Sequence, residues 1–338
     1  MASLGRLPRR VQAYSAVFVA AATLLLVASL VPAVTQIREA EVVLPWTSIL
    51  GPLLAFRVDS LGLLFALVAS SFGFVSILYS VGDMKEREGL GRYYTLMLIF
   101  SGSMLCLFLA DNFLLFFFFW EIVGLCSYFL IGFDYSRESS RASAKALLIT
   151  NYAGAFLLVG ILLLYFSTGT LQISDVGAKL KEPVVATLVA SLFLIAAVAK
   201  SAQFPLHVWL PDATVAPSAV TAYLHAAAMV KAGVYLVARS YAVFSNYLPI
   251  VSYEFVVPTI GVATLVVGTM AAWAQEDVKR VLAFSTVGQI GYIFLSIGLG
   301  TTLGVVGGLF HFLNHAFFKG LLFLCAGCLI HATGTKRL

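Results

Sequence analysis

Charge is scarce in this chain. Asp, Glu, Lys and Arg make up 11% of its 338 residues, against 61% hydrophobic; a soluble globular domain carries about 25% charged residues. That shortage excludes a soluble domain with an ordinary solvated surface. A clustered basic face is also lacking, which excludes a nucleic-acid partner. Cysteine is limited to Cys106, Cys126, Cys325 and Cys328, all inside apolar runs. Cys325 and Cys328 form a C-x-x-C with no second pair, so packing is the expected role rather than metal or redox work.

What the chain has instead is long apolar blocks. Ten spans can be drawn, at 14–34, 60–81, 93–110, 112–133, 141–167, 183–210, 215–239, 254–273, 279–299 and 302–330. Each approaches or exceeds the ~20 residues that carry a helix across ~30 Å of hydrocarbon. The fold class is therefore all-α, a polytopic transmembrane bundle. Val31-Pro32-Ala33 resembles a weak signal-peptide cleavage site, but the block before it is longer than the ~7–15 residues of a signal peptide's apolar region.

Orientation follows from Lys and Arg at the span edges. One side holds Arg6, Arg9, Arg10, Lys85, Arg87, Arg92, Arg137, Arg141, Lys279, Arg280, Lys336 and Arg337; the other holds Arg38, Arg57, Lys179, Lys181 and Arg239. The richer side is expected to be cytoplasmic, with both termini on it, in a cell (plasma or inner) membrane.

The remaining bases, Lys145, Lys200, Lys231 and Lys319, fall within the spans, and Glu121 is the one acid deep in a span. A charge at a helix centre costs about 2.5–3.5 kcal/mol on insertion scales. A structural ion pair or a proton relay would justify it, and five ionisable groups with histidines among them favour a relay. Lys200 lies in "AVAKSAQFPLHVWLPDA", where Pro205 and Pro211 predict a broken helix. Such breaks line water-filled cavities in transporters. His207 sits in the break and is equally readable as a loop histidine. His225 and Lys231, six residues apart, point about 120° from each other on one continuous helix and would serve different neighbours. His311, His315 and Lys319, spaced four and four, form a polar stripe within about 80°. No carboxylate or cysteine completes a metal-ligand set beside these histidines, so no metal is expected. Lys145 lies near the start of its span and reads either as snorkelling or as accessory.

The stretches "FFWEIVGLCSYFLIGF", "AKSAQFPLHVWLPDATVAPSAVTAYLHAAAMVKAGVYLVAR", "DVKRVLAFSTVGQIGYIFL" and "LNHAFFKGLLF" resemble the antiporter-like subunits of respiratory complex I. The resemblance extends to Mrp-type cation/proton antiporters, membrane-bound hydrogenases and sulfur reductases. It implies a Glu121–Lys200 pair, with Lys200 on a broken helix. It also implies that His225 and Lys231, then His311, His315 and Lys319, carry charge laterally. Asn151, Gly154 and Lys231 place the chain nearer the Mrp and hydrogenase branch. The family layout implies an N-terminal two-span segment (1–92), a complete five-helix repeat (93–242) and a partial second repeat (243–338), a chain shortened at both ends.

The implied function is a proton- or sodium-translocating membrane subunit of a redox-driven complex. Its implied partners are other membrane subunits, the lipid bilayer and a separate hydrogenase-, sulfur reductase- or quinone reductase-like arm. No flavin, iron–sulfur or quinone motif is visible, so no cofactor is expected in this chain. Two alternatives stay open: a subunit of a stand-alone Mrp-type antiporter, and a structural subunit whose second half-channel does not conduct.

Overall fold

Apolar runs of this length must satisfy their backbone groups internally, and in a bilayer the helix does so within one segment. A computed structural model describes residues 8–37, 39–43, 47–48, 51–244 and 250–338. Arg6 and Arg38, used above for orientation, lie outside them. In chain order the elements begin with α1 (Arg9–Ala28) and α2 (Val31–Ile37), followed by two short antiparallel ribbons. In these, β1 (Ala40–Val43) pairs with β4 (Ala55–Val58), and β2 (Thr47–Ser48) with β3 (Gly51–Pro52). Then come α3 (Ser60–Asp83), α4 (Leu90–Leu109), α5 (Phe113–Ile131), α6 (Arg137–Thr168), α7 (Ile173–Lys179) and α8 (Pro183–Lys200). The last five are α9 (Ser218–Ala226), α10 (Met229–Phe244), α11 (Ile250–Trp273), α12 (Val278–Gly298) and α13 (Thr302–Thr333). Among the described residues, ten segments are long and apolar enough to cross a membrane, with α1–α2 and α9–α10 each counting once.

Short polar side chains start the helices where the sequence changes from polar to apolar. Asp59 accepts from Gly62 N (2.7 Å), Asn112 from Leu114 N (2.8 Å) and Asp277 from Arg280 N (3.1 Å). Successive spans run in opposite directions. One end of the bundle therefore gathers Lys85, Arg87, Arg137, Arg141, Arg280 and Lys336 (the basic end). The other carries the ribbons and α7 (the ribbon end).

Two expected spans are interrupted. The block at 183–210 is helical only as far as Lys200; two 3-10 turns follow, at Leu206–Trp209 and Asp212–Val215. The end of α8 is a Schellman motif: Gln203 N bonds Val198 O (2.8 Å) and Ala202 N bonds Ala199 O (3.2 Å). The motif demands a left-handed residue, and Ala202 supplies it at φ 50°. The span at 215–239 is two helices, because Ala227 N and Ala228 N both bond Tyr223 O and widen the chain between α9 and α10. The 120° separation expected for His225 and Lys231 therefore does not apply. The ribbons at 40–58 were not foreseen from the sequence. Cys325 and Cys328 correct the packing expectation: both are exposed on α13, unbridged, and Cys328 Sγ lies 3.7 Å from the Tyr79 hydroxyl.

Small residues bring neighbours close. A Cβ on Gly268 of α11 would stand 2.5 Å from Gly288 N of α12, so these two helices touch backbone to backbone. At the ribbon end, Arg239 of α10 bonds Asp59 at the head of α3 (3.0 Å) and the Tyr235 hydroxyl (2.6 Å). Tyr235 in turn donates to Phe108 O (2.7 Å). Burial alone would push the Asp59 carboxyl up, but Arg239, the Gly62 amide and Arg57 outweigh it and hold it below its ordinary 3.8.

Two outcomes follow. Ala202→Gly removes left-handed strain of about 1–2 kcal/mol, partly offset by glycine's greater freedom when unfolded. It should raise the thermal midpoint of the purified protein. Asp59→Asn should lower that midpoint, by roughly 1.5–3 kcal/mol for the lost charged hydrogen bonds. Because the folded carboxyl titrates below the unfolded one, this stability is present above pH ~4 and is lost as pH falls through the folded value. Thermal melts from pH 7 down to 3 should accordingly show the wild-type advantage over Asp59→Asn shrinking with acid.

Candidate functional site

Lys200 ends α8 with its side chain fully buried. The Schellman turn stops the helix there, and Trp209, returning from the first 3-10 turn, donates Nε1 to Ala199 O (2.9 Å). The break thus keeps its freed backbone groups satisfied while its lysine stays inside the bundle. Lys200 Nζ donates to Trp120 O of α5 (2.9 Å) and stands 4.9 Å from the Trp120 ring centre.

Glu121 does not close a hydrogen-bonded ion pair with Lys200. The ammonium donates to the neighbouring carbonyl instead, and Glu121 Oε1 is buried without a hydrogen-bond partner. Lys200 remains electrostatically coupled to the carboxylate through space. Helix α6 supplies the opposite wall. Gly154 leaves room for Glu121 Oε1 and Trp120 Nε1, both unpartnered, and Asn151 Oδ1 stands beside Lys200 Nζ at Gly124. Asn151 and Gly154, both named from the sequence, therefore face the lysine and the glutamate.

Beyond the break, α9, α10 and α13 bring the remaining bases together. His225, Lys231, His315 and Lys319 are all buried to within 1% of complete. Lys231 Nζ lies 2.8 Å from His315 Nδ1, a contact across 84 residues of chain and short enough to pass a proton directly. His225 packs its ring 4.4 Å from that of Phe323, and neither of its nitrogens has a partner. Lys319 Nζ donates to Leu282 O (3.1 Å). His311, half-buried, meets Gln289 Oε1 (2.9 Å) and sits 6.5 Å from the His315 ring. The stripe of α13 thus faces α10 and α12 along one edge.

The accessory residues lie elsewhere. Lys145 pairs with Asp212 (2.8 Å), and Arg280 approaches the same carboxylate (3.6 Å), on the rim of a cavity of about 490 Å³ at the basic end. His207 is half-buried between Phe204 and Phe284 in the break, with Nδ1 unpartnered. Pro205 and Pro211 each precede a 3-10 turn, as a helix break requires. Sequence reasoning missed Gln203 and Gln289, uncharged members of the line whose type carries no signal in an apolar run. Lys279 lies at a span edge as expected, in the first turn of α12, but its side chain is 5% exposed and bonds Ala216 O (3.2 Å).

The arrangement is a set of buried titratable groups, held by carbonyls, an amide and ring faces. The chain is 42% identical over 288 residues to the chloroplastic NAD(P)H-quinone oxidoreductase subunit 5 of Adiantum capillus-veneris, covering 82% of this chain and 39% of that protein. It is 41% identical over 315 residues to a Na(+)/H(+) antiporter subunit of Alkalihalophilus pseudofirmus, covering 88% and 39%. Near-equal identities on both sides do not separate the two branches. A chain of the membrane-bound sulfane sulfur reductase, an archaeal respiratory membrane complex, superposes with a TM-score of 0.88 at 27% identity, over 95% of this chain and 66% of that one. The chain spans about two-fifths of the length of these curated relatives. The family described as NADH:quinone oxidoreductase/Mrp antiporter, TM, matches residues 110–338, and on this match and these identities the chain belongs to that family of antiporter-like membrane subunits.

Proposed function

We propose that this chain moves protons through the membrane as an antiporter-like subunit of a redox-driven complex. The observation that carries the reading is the set of fully buried bases, Lys200, His225, Lys231, His315 and Lys319, with Lys231 and His315 at 2.8 Å. Five bases so deeply buried, with no carboxylate bonded to any of them among the described residues, are costly as static structure. As relay stations, each is charged only in turn.

In this reading Glu121 and Lys200 form a switch. Lys200 bonded to Trp120 O is the released position. A swing toward the unpartnered Glu121 Oε1 closes the pair and stabilises the ammonium. Opening it again favours loss of the proton toward the break or along the file. His225, Lys231, His315, Lys319 and His311 then pass charge laterally. Residues 93–242 serve as the first repeat and residues 243–338 contribute to the second. The basic end faces the cytoplasm, and the redox centres reside in partner subunits. The set of lysine, histidine and a single deep carboxylate favours protons over sodium, which as a hard cation prefers several oxygen ligands.

The similarity to a Na(+)/H(+) antiporter subunit supports a second reading, membership of a cation/proton antiporter without a redox arm. The proteins that purify with the chain decide between them: a quinone reductase-, hydrogenase- or sulfur reductase-like arm for the first, only Mrp-type membrane subunits for the second.

Glu121→Ala and Lys200→Ala should each abolish coupled proton movement in reconstituted vesicles while the complex still assembles. Unchanged proton-to-electron stoichiometry in both would sink the switch. Lys231→Ala should retain assembly and lose net translocation, because it removes the direct contact between α10 and α13 in the file. Proton flux and native gel mobility measured on the same preparation check this.

A further inference from the structure

A second line of buried polar groups lies away from the switch, along one face of α3. Gly73, Ser76, Ser80 and Asp83 are spaced three, four and three, which puts them within about 80° on the helix and spreads them over roughly 15 Å. That is about half the hydrocarbon thickness. Asp83, partly exposed, stands at the basic end, and the line runs inward from it.

The groups on this face are poorly satisfied. Ser76 Oγ and Asp83 Oδ2 are buried with no hydrogen-bond partner, while the Tyr93 hydroxyl of α4 and the Tyr223 hydroxyl of α9 make only loose contacts with the Ser80 and Ser101 hydroxyls. Serines in apolar helices usually bond a carbonyl of the preceding turn, as Ser80 does to Ile77 O (2.7 Å). Ser76 does not. The Ser80 hydroxyl faces both Tyr93 and Tyr94. At the inner end Gly73 opens the helix: a Cβ there would stand 2.6 Å from Ser101 Oγ and 3.5 Å from the Tyr223 hydroxyl. The charged groups around the mouth are Asp83 itself, Lys279, Arg87 and Lys336. Buried polar atoms are otherwise almost always paired, and a line of hydroxyls with spare hydrogen-bonding capacity is a place that can hold water.

The inner end of this row is one turn of α9 from the widened segment between His225 and Lys231. Lys200 and Glu121 lie on α8 and α5, and neither is among the residues on this face.

We propose that the α3 face from Asp83 through Ser80 and Ser76, lined by Tyr93 and Tyr223, is a second proton-uptake limb. It runs from the basic end to the His225–Lys231 segment and bypasses the Glu121–Lys200 switch. Asp83 takes a proton from solvent. Each hydroxyl or water then accepts one proton and releases another, so no group is left with a net change after a passage. The proposal rests on the translocation reading above.

Two measurements on the assembled complex test it. In a background with the four native cysteines replaced, Ser76→Cys should react with a small charged methanethiosulfonate reagent applied at the basic end, whereas Leu78→Cys, on the exposed face of α3, should not react at a comparable rate. Tyr93→Phe and Ser80→Ala, which remove one hydroxyl each, should slow proton translocation by roughly tenfold or more with assembly unchanged. An inert Ser76→Cys, or wild-type flux in both hydroxyl variants, overturns the proposal and leaves the α3 face as packing. If the wild-type complex moves no protons, the translocation reading fails and the uptake role fails with it. The labelling still reports separately whether this face is open to water.

Discussion

The structure depends on how an ammonium group is held inside a low-dielectric bundle without a carboxylate to pair it. Each deep lysine meets the same kind of company. Lys200 has a carbonyl and an indole face, Lys231 an imidazole with the Phe312 ring 5.4 Å away, and Lys319 a carbonyl with the Phe318 ring 5.9 Å away. Carbonyls and ring faces favour a positive charge without trapping it, whereas a bonded carboxylate would bind it tightly. Charge on one station also raises the cost of charge on the next, through a medium that screens poorly. A file built this way discourages simultaneous occupancy.

The rest of the fold serves that condition. The broken end of α8 matters because a continuous helix would bury the carbonyls after Lys200 in their own ladder, whereas the break leaves Ala199 O to accept from Trp209. The Schellman turn at Ala202 and the Trp209 bond to Ala199 O let the break sit among apolar neighbours without stranding backbone groups. The widened turn between α9 and α10 does a related job, separating the directions of His225 and Lys231 on what would otherwise be one helical wheel. Glycines at α11 and α12 bring two backbones together and give α13 a firm neighbour.

Much of this was legible in the sequence, and the misses have definite causes. Hydropathy and length were enough for the ten spans, because backbone satisfaction in lipid leaves few options. The deep charges stood out because an apolar context makes them rare. What escaped were features set by tertiary contact. A β-ribbon of four residues a side has too little periodicity to distinguish from loop. The widened turn at Ala227–Ala228 lies in an alanine-rich stretch with no proline or glycine to mark it. The partner of Lys200 could be read as Glu121 from charge alone. Only the fold reveals that the adjacent Trp120 carbonyl takes the ammonium and that Gly154 gives the glutamate somewhere else to point. Lys279 is an edge charge beside Asp277 and Arg280, yet only the fold shows that it reaches inward to Ala216 O.

The clasp of Asp59, Arg239 and Tyr235 at the ribbon end bears on how the file can work. It ties the end of α10 to the head of α3 and the end of α4 through charged and neutral hydrogen bonds in series. A helix anchored in this way is a rail rather than a piston. It cannot slide a turn along its axis without tearing that anchor, so displacements at Lys231 are confined to side-chain swings and to the soft joint just below it. In the proposed translocation, such a rail asks for short reaches between groups that stay put.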